Sequence, residues 1–468
     1  MSDSSLSPMP SRPVPAHGTM RELPALLRLA GPLAAANLLQ MAVYAVDVIF
    51  VARLGAGPLA AASLGVSIVS LLTWSLSGLV GAAAPVMAAE LGQRRHAVRE
   101  VRRTMRMGFW LAFIAGAAAM LLCLFAEPFM LATGQPPRLA AEAGGFVHLL
   151  MWCIIPGLIA SLLRIFVSAM GRATIAMVIT LIALLVNALG NWLLVFGNAG
   201  FPTMGLAGSA VASIITNLVM VAAYVAVIQT DRRFRRFHLF GRWWRIERTR
   251  LSELFRIGGP IGLTILAEAG LFSGAAFLMG RIGEVQLAAH TVALQIAAIA
   301  FQVPFGVAQA ATIRVGLAYG ARDHMAIARA GRTALFVGIG FMAMTACAIW
   351  LFPRALVSIY VDTSDPANAL LVVLAVQYLA VAAAFQLFDG AQAVGAGALR
   401  GLQDTRTPMI MAVSGYWVVG YGCAIWLGFF TPLEGLGVWI GLAAGLVAVS
   451  AMLLSRWSMR ARLGLLPA

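Results

Sequence analysis

The sequence predicts an all-α integral membrane protein, with twelve transmembrane helices in two pseudo-symmetric six-helix lobes. Three observations carry that prediction. The 468 residues are 61% hydrophobic and only 11% charged, with a mean hydropathy of +0.89, whereas soluble domains carry roughly 25% charged residues. The apolar stretches reach the 18 or so residues that a helix needs to cross a bilayer, too long for barrel strands. The second half of the chain also repeats the first at a fixed spacing.

Taken in order, the predicted spans of the first half are 27–52, 59–89, 105–128, 144–169, 174–197 and 205–229. Those of the second half are 254–280, 286–318, 333–353, 368–397, 408–430 and 435–456. The second, eighth and tenth runs exceed what a bilayer needs, so tilt or protruding ends are expected. Residues 1–22, Ser/Pro-rich and without a continuous apolar core, read as a flexible cytoplasmic tail and not as a cleaved signal. Residues 23–229 form an N-lobe, 230–252 a basic cytoplasmic linker, 253–458 a C-lobe and 459–468 a second cytoplasmic tail.

The chain contains no lysine, and its net charge of +15 is carried by arginine. The arginines alternate loop by loop. Arg94, Arg95, Arg99, Arg102, Arg103 and Arg106 follow span two, and Arg232, Arg233, Arg235 and Arg236 open the linker, which also holds Arg242. Arg322, Arg329 and Arg332 follow span eight, and Arg456, Arg460 and Arg462 close span twelve. The intervening loops hold Glu127, Glu142, Asp362, Asp365 and Glu434 instead. The positive-inside rule therefore puts both termini in the cytoplasm, across the cell's inner (plasma) membrane. This placement accounts for the basic balance without a nucleic-acid partner. Trp243 and Trp244 of the linker are expected at the membrane interface. The four cysteines are isolated in apolar runs, with no CxxC or Cys/His cluster to hold a metal.

Gly259-Pro260 falls 228 residues after Gly31-Pro32 (259 − 31). At the same offset Ile282-Gly283 matches Leu54-Gly55, Leu287-Ala-Ala matches Leu59-Ala-Ala, Gly306 matches Gly78, and Tyr319-Gly320 matches Leu91-Gly92. Because each half has an even number of spans, the halves share one orientation. Such parallel repeats place a substrate site between two lobes.

Three acids lie inside spans. Glu268 is the only charge between Gly259 and Gly280, Asp47 the only one in its run before Arg53, and Asp389 lies in Phe385-Gln-Leu-Phe-Asp-Gly-Ala-Gln392. A carboxylate at that depth costs at least about 2.5 kcal/mol unless it is paired, protonated or bound to a cation. Glu268 is equivalent to Gln40 and Asp47 to Ala275, so the halves are not symmetric in charge. Glu268 and Asp389, in one lobe, are suited to sharing a cation or one proton. Asn187 and Asn191 stack on one face of span five, placed either to hydrogen-bond Asp47 or to act as interhelical glue. Ser213 in span six is a weaker candidate. Ser67 and Gln295, equivalent at the offset, are candidate cavity residues, with packing as the alternative. Arg164, Arg314 and Arg400 are expected to snorkel or pair at cytoplasmic helix ends. For His290 a structural hydrogen bond is expected in preference to a proton relay.

At these residues the chain resembles the multidrug and toxic compound extrusion (MATE) family, in particular its NorM branch, over about residues 20–460. The likeness rests on Val46-Asp47-Val48-Ile49-Phe50, Leu185-Val-Asn-Ala-Leu-Gly-Asn-Trp192, Thr264 to Phe272, Ala288-Ala289-His290, Ile313-Arg-Val-Gly316 and Asp389 through Leu399-Arg400-Gly401. It implies a two-lobe exporter that exchanges cytoplasmic drugs for external Na⁺ or H⁺. It further implies that Glu268 and Asp389 are the C-lobe cation-binding acids, and that Asp47, Asn187 and Asn191 form the N-lobe polar cluster. Ser213 stands where relatives often have threonine, and Phe385 where some have a tyrosine beside the cation site. Thr291, a candidate substrate contact, stands where relatives often have glutamine.

The expected function is therefore alternating-access antiport of amphipathic, often cationic drugs and dyes by a monomer in contact with membrane lipid. No cofactor is expected. A lipid-linked saccharide flippase of the same superfamily is the nearest alternative; it would need a basic cavity, and the deep charges are acidic. A channel would favour symmetric pore lining. An enzyme would need a nucleophile–base pair or a metal motif, and neither is found.

Overall fold

The computed structural model describes residues 19–93, 96–241 and 244–467. The expectations for Arg94, Arg95, Arg242, Trp243 and most of the first tail lie outside the described residues; Trp244 is exposed.

Among the described residues, twelve helices are long and apolar enough to span a membrane. In the first half they are α1 (Glu22–Ala52), α2 (Ala56–Gln93), α3 (Ala97–Cys123), α4 (Pro137–Ala169), α5 (Ala173–Leu194) and α6 (Leu206–Thr230). In the second they are α7 (Arg248–Ile282), α8 (Glu284–Gly320), α9 (His324–Leu351), α10 (Pro366–Gly401), α11 (Arg406–Phe429) and α12 (Glu434–Ser458). The helix α2 is 38 residues long and turns at Gly81 and Ala82 between two helical segments. At about 1.5 Å per residue it outruns a hydrocarbon core of about 30 Å, and its second segment projects toward the arginine-rich loops. The helix α3 starts at Ala97, not near 105, extending by about two helical turns that carry Arg99, Arg102 and Arg103 outside the apolar run.

Each half has its own apolar core. One joins Val51, Met105, Leu158, Phe166 and Tyr224 of the first half. The other joins Leu271, Tyr378, Phe385, Tyr416 and Trp439 of the second. Two further clusters cross between the halves. Leu26, Leu29 and Leu33 of α1 pack on Val307 and Ala310 of α8. Leu254, Ile257 and Ile261 of α7 pack on Leu79 and Ala82 of α2. Every one of these residues maps onto its counterpart by the 228-residue offset, so the two seams are copies of one contact.

The closest approaches obey the same rule. A Cβ on Gly78 would meet the α-carbon of Gly262, 3.0 Å away, and a Cβ on Gly306 would meet Ala34. The offset carries 78 to 306 and 34 to 262. Likewise a side chain on Gly92 would collide with the Leu317 carbonyl, and one on Gly320 with the Ala89 carbonyl. Small residues let membrane helices pack backbone to backbone, and here they fix a pseudo-twofold interface.

Ion pairs close both seams at the arginine-rich face. Arg314 of α8 grips Glu22 of α1 through two hydrogen bonds of 2.8 and 2.6 Å. Position 250 is the equivalent of position 22, and there the sign is reversed: Arg250 of α7 pairs with Glu90 of α2. Beside it Glu247 takes Arg103 at 2.6 Å and also pairs with Arg106. The chain is thus held shut at its arginine-rich end by two apolar seams, each with a charged latch.

Gly258→Leu and Gly320→Leu are expected to destabilise the protein by about 1–3 kcal/mol each, as overpacked contacts do. Gly340→Leu, where nothing lies within 4 Å of the added Cβ, should leave the melting temperature unchanged. Thermal denaturation of the three purified variants checks this; equal losses in all three would contradict the seam.

Candidate functional site

In the second half, three helices bring together a carboxylate pair. Glu268 comes from α7, and Asp389 and Gln392 from α10. The amide nitrogen of Gln392 donates to Glu268 Oε1 at 3.1 Å and to Asp389 Oδ1 at 3.2 Å. Its carbonyl oxygen accepts from the Tyr416 hydroxyl of α11 at 2.9 Å. Tyr416 is fully buried. It sits in a π-helical stretch, Ser414–Tyr421, that interrupts α11, and such wide turns often mark functional positions. Gly270 and Gly274 make the approach possible, since a Cβ at either would press on the rings of Trp417 and Tyr421.

Sequence reasoning singled out Glu268 and Asp389 but not Gln392 or Tyr416. Gln392 carried a signal, being an amide three residues after Asp389 on the same helix face. Tyr416 carried none, because the π turn that aims it is not visible in the local pattern. The Phe385 ring stacks on Trp439 with 5.7 Å between centroids. His290 differs from expectation. Both of its ring nitrogens lack a hydrogen-bond partner among the described residues, and the ring instead meets Trp439 edge-on at 5.4 Å.

In the first half, Asp47 is met by three neutral donors. Asn191 and Asn187 donate to Oδ1 at 2.8 and 3.0 Å, and Ser213 donates to Oδ2 at 3.1 Å. The asparagines are fully buried. One carboxylate with three donors is well served in a low-dielectric setting, whereas two carboxylates sharing one amide are not. The C-lobe pair therefore calls for a proton or a cation between its oxygens. The oxygens facing one another there are those of the two carboxylates, since the Gln392 amide oxygen is taken by Tyr416. Those oxygens fit a monovalent cation or a shared proton.

Between the halves, just past the seams, lies a cavity of about 450 Å³. Asn37, Gln40 and Tyr44 of α1, Trp74 and Ser77 of α2, and Gln302 of α8 contribute to its wall. Ser67, Gln295 and Thr291 do not. All three lie exposed on the arginine-poor halves of α2 and α8, and the Ser67 and Thr291 hydroxyls bond back to their own helices at 2.7 and 2.9 Å. Of the three arginines expected at helix ends, Arg314 pairs there with Glu22. Arg164 and Arg400 instead turn inward and line the cavity. Both are half-buried, because helix rotation about the lobe cores aims them at the interface and away from the helix-end water.

The MatE family model matches residues 32–193 and 260–426, one stretch in each half. The chain is 44% identical over 443 residues to a protein named probable multidrug resistance protein NorM of Mesorhizobium japonicum, covering 95% of each chain. It is 45% identical over 437 residues to the protein of the same name in Brucella suis, covering 93% of each. In fold it is similar to the eukaryotic MATE transporter AtDTX14, with a TM-score of 0.84 at 21% identity over 95% of this chain and 96% of that one. Twelve spanning helices in two repeated halves, matched by the family model in both, show that the chain belongs to the MatE family of multi-pass membrane transporters.

Proposed function

We propose that the protein is a multidrug efflux antiporter of the inner membrane, exporting amphipathic, often cationic small molecules in exchange for Na⁺ or H⁺. One observation carries the ion-driven part of this reading: two membrane-embedded carboxylates, Glu268 and Asp389, share a single amide donor, and neither lines the central cavity. Ion and cargo thus have separate seats, as exchange through conformational coupling requires. The relatives named for multidrug resistance support the cargo class.

With both termini in the cytoplasm, the latched seams seal the cytoplasmic face, and the conformation is outward-facing. An external cation or proton entering the C-lobe neutralises the carboxylate pair. The Gln392 amide, now donating to both acids, must turn or withdraw as the ion takes its place, and Tyr416 follows through its hydrogen bond to Gln392. That repacking biases the lobes toward cargo release and return. Asp47, saturated by its three donors, serves as a second, proton-linked or cargo-linked position on the other lobe.

A second reading, flipping of a lipid-linked saccharide, gains support from Arg164 and Arg400, the charged residues of the cavity wall. The sequence expectation that weighed against it rested on acidic deep charges, and those acids lie off the cavity. Efflux of ethidium from proteoliposomes separates the two readings, since a flippase would not move it.

In proteoliposomes with Na⁺ and H⁺ gradients imposed one at a time, one gradient should drive ethidium export. Glu268→Gln and Asp389→Asn should each reduce that export to background in folded protein, whereas full export in both would remove the C-lobe ion site from the mechanism. Tyr416→Phe removes a hydrogen bond worth about 1 kcal/mol and should raise the half-saturating cation concentration about fivefold at unchanged expression. An unchanged cation dependence would detach Tyr416 from the site. Asp47→Asn should leave cation binding to the C-lobe intact while lowering export.

A further inference from the structure

The basic segment between the halves is fastened to the first half. Phe234, Phe237 and Leu239 are buried in the first-half core. The rings of Phe234 and Phe237 meet Phe166 edge-on, with 5.7 and 5.5 Å between centroids. Arg102 Nε donates to the Phe237 carbonyl at 2.6 Å. Between the two anchors, His238 is held in the left-handed region at φ 47°, a conformation that a non-glycine residue keeps only where its surroundings fix it. Orientation in a membrane needs only a number of positive charges near a span. It does not account for a segment tied down at this many points.

The fastening leaves arginines outward. Arg232, Arg233, Arg235, Arg236, Arg245 and Arg248 are exposed, and none forms an ion pair among the described residues. Arg236 is held over the Phe237 ring at 5.1 Å. The two acids of the segment are already engaged. Asp231 accepts from the Arg233 backbone nitrogen at 2.8 Å, and Glu247 pairs with Arg103 and Arg106. The level of the segment is that of the membrane surface. Phe240 stacks on Phe109 with 6.0 Å between centroids, and the Glu247 backbone nitrogen donates to Met107 Sδ at 3.1 Å. Both contacts fall where the apolar run of α3 begins, just past Arg106. Beside them Trp244 and Ile246 are 63% and 48% exposed. Unpaired guanidinium groups next to exposed aromatic and aliphatic side chains match the two parts of a lipid surface, phosphate and acyl edge. Guanidinium is also the side chain best matched to phosphate oxygens.

We propose that residues 231–241 and 244–248 form a docking shelf for anionic phospholipid. The exposed arginines take the headgroup phosphates, and Phe240, Trp244 and Ile246 seat at the edge of the acyl layer. This binding surface lies outside the ion and cargo sites and does not depend on the efflux reading.

The test is native mass spectrometry of the purified full-length protein, titrated with phosphatidylglycerol or with phosphatidylcholine of the same acyl chains. Phosphatidylglycerol should bind about tenfold more tightly. Arg232→Gln, Arg233→Gln, Arg235→Gln and Arg236→Gln combined in one variant should weaken phosphatidylglycerol about tenfold and phosphatidylcholine less than about twofold. The same four positions changed to lysine keep the charge and should retain most of the affinity, which separates charge loss from misfolding. A control variant loses four exposed arginines elsewhere, by Arg99→Gln, Arg322→Gln, Arg332→Gln and Arg406→Gln, and should bind within about twofold of wild type. Equal losses in the two glutamine variants would assign the binding to diffuse positive charge and overturn the shelf. Equal affinity of the wild type for both lipids would overturn it as well. Displacement of the bound lipid by equimolar glycerol 3-phosphate would assign a soluble phosphate ligand and equally overturn it.

Discussion

A charge inside a membrane must be compensated, and the distribution of compensating donors organises this molecule. Asp47 has three neutral donors and needs nothing further. Glu268 and Asp389 have one amide between them. Arg164 and Arg400 face a cavity without acids. The first arrangement is well compensated as it stands, and the second is less so.

The scaffold that keeps these sites apart is built by duplication. The seams α1–α8 and α2–α7 are copies of one apolar contact, and their glycine approaches repeat at the same offset. Parallel repeats related by an axis along the membrane normal place a cleft between two lobes, which suits rocking of one lobe on the other. The latches depart from symmetry in an informative way, because the equivalent positions 22 and 250 carry opposite charges, each with its own partner. Both halves thus carry an ion-pair closure at that point of the fold, with the sign reversed.

Much of this was legible in the sequence. The spans follow from hydropathy and the pseudo-twofold from a constant offset. Asn187 and Asn191 could be matched to Asp47 because two amides one helical turn apart must share a face. What was not legible depends on helix rotation and local winding. Ser67 and Gln295 looked like cavity residues because they are polar and equivalent, yet both sit on the exposed, arginine-poor halves. Arg164 and Arg400 looked like helix-end residues because arginine usually snorkels, yet packing of the lobe cores turns them inward. Tyr416 is aimed by a π turn whose residues read as ordinary helix. Periodicity assigns a residue to a face, but only tertiary packing decides what that face meets.

The central claim is that cation at the C-lobe acids and cargo in the cavity bind in thermodynamic opposition. Equilibrium titration of a fluorescent cargo against Na⁺ and against pH tests it, because linkage requires each ligand to weaken the other by one common factor. The account predicts that one of the two ions raises the cargo Kd in the wild-type protein, and that the coupling factor falls to unity in Asp389→Asn. A cargo Kd indifferent to both ions, or coupling that survives in Asp389→Asn, would contradict it.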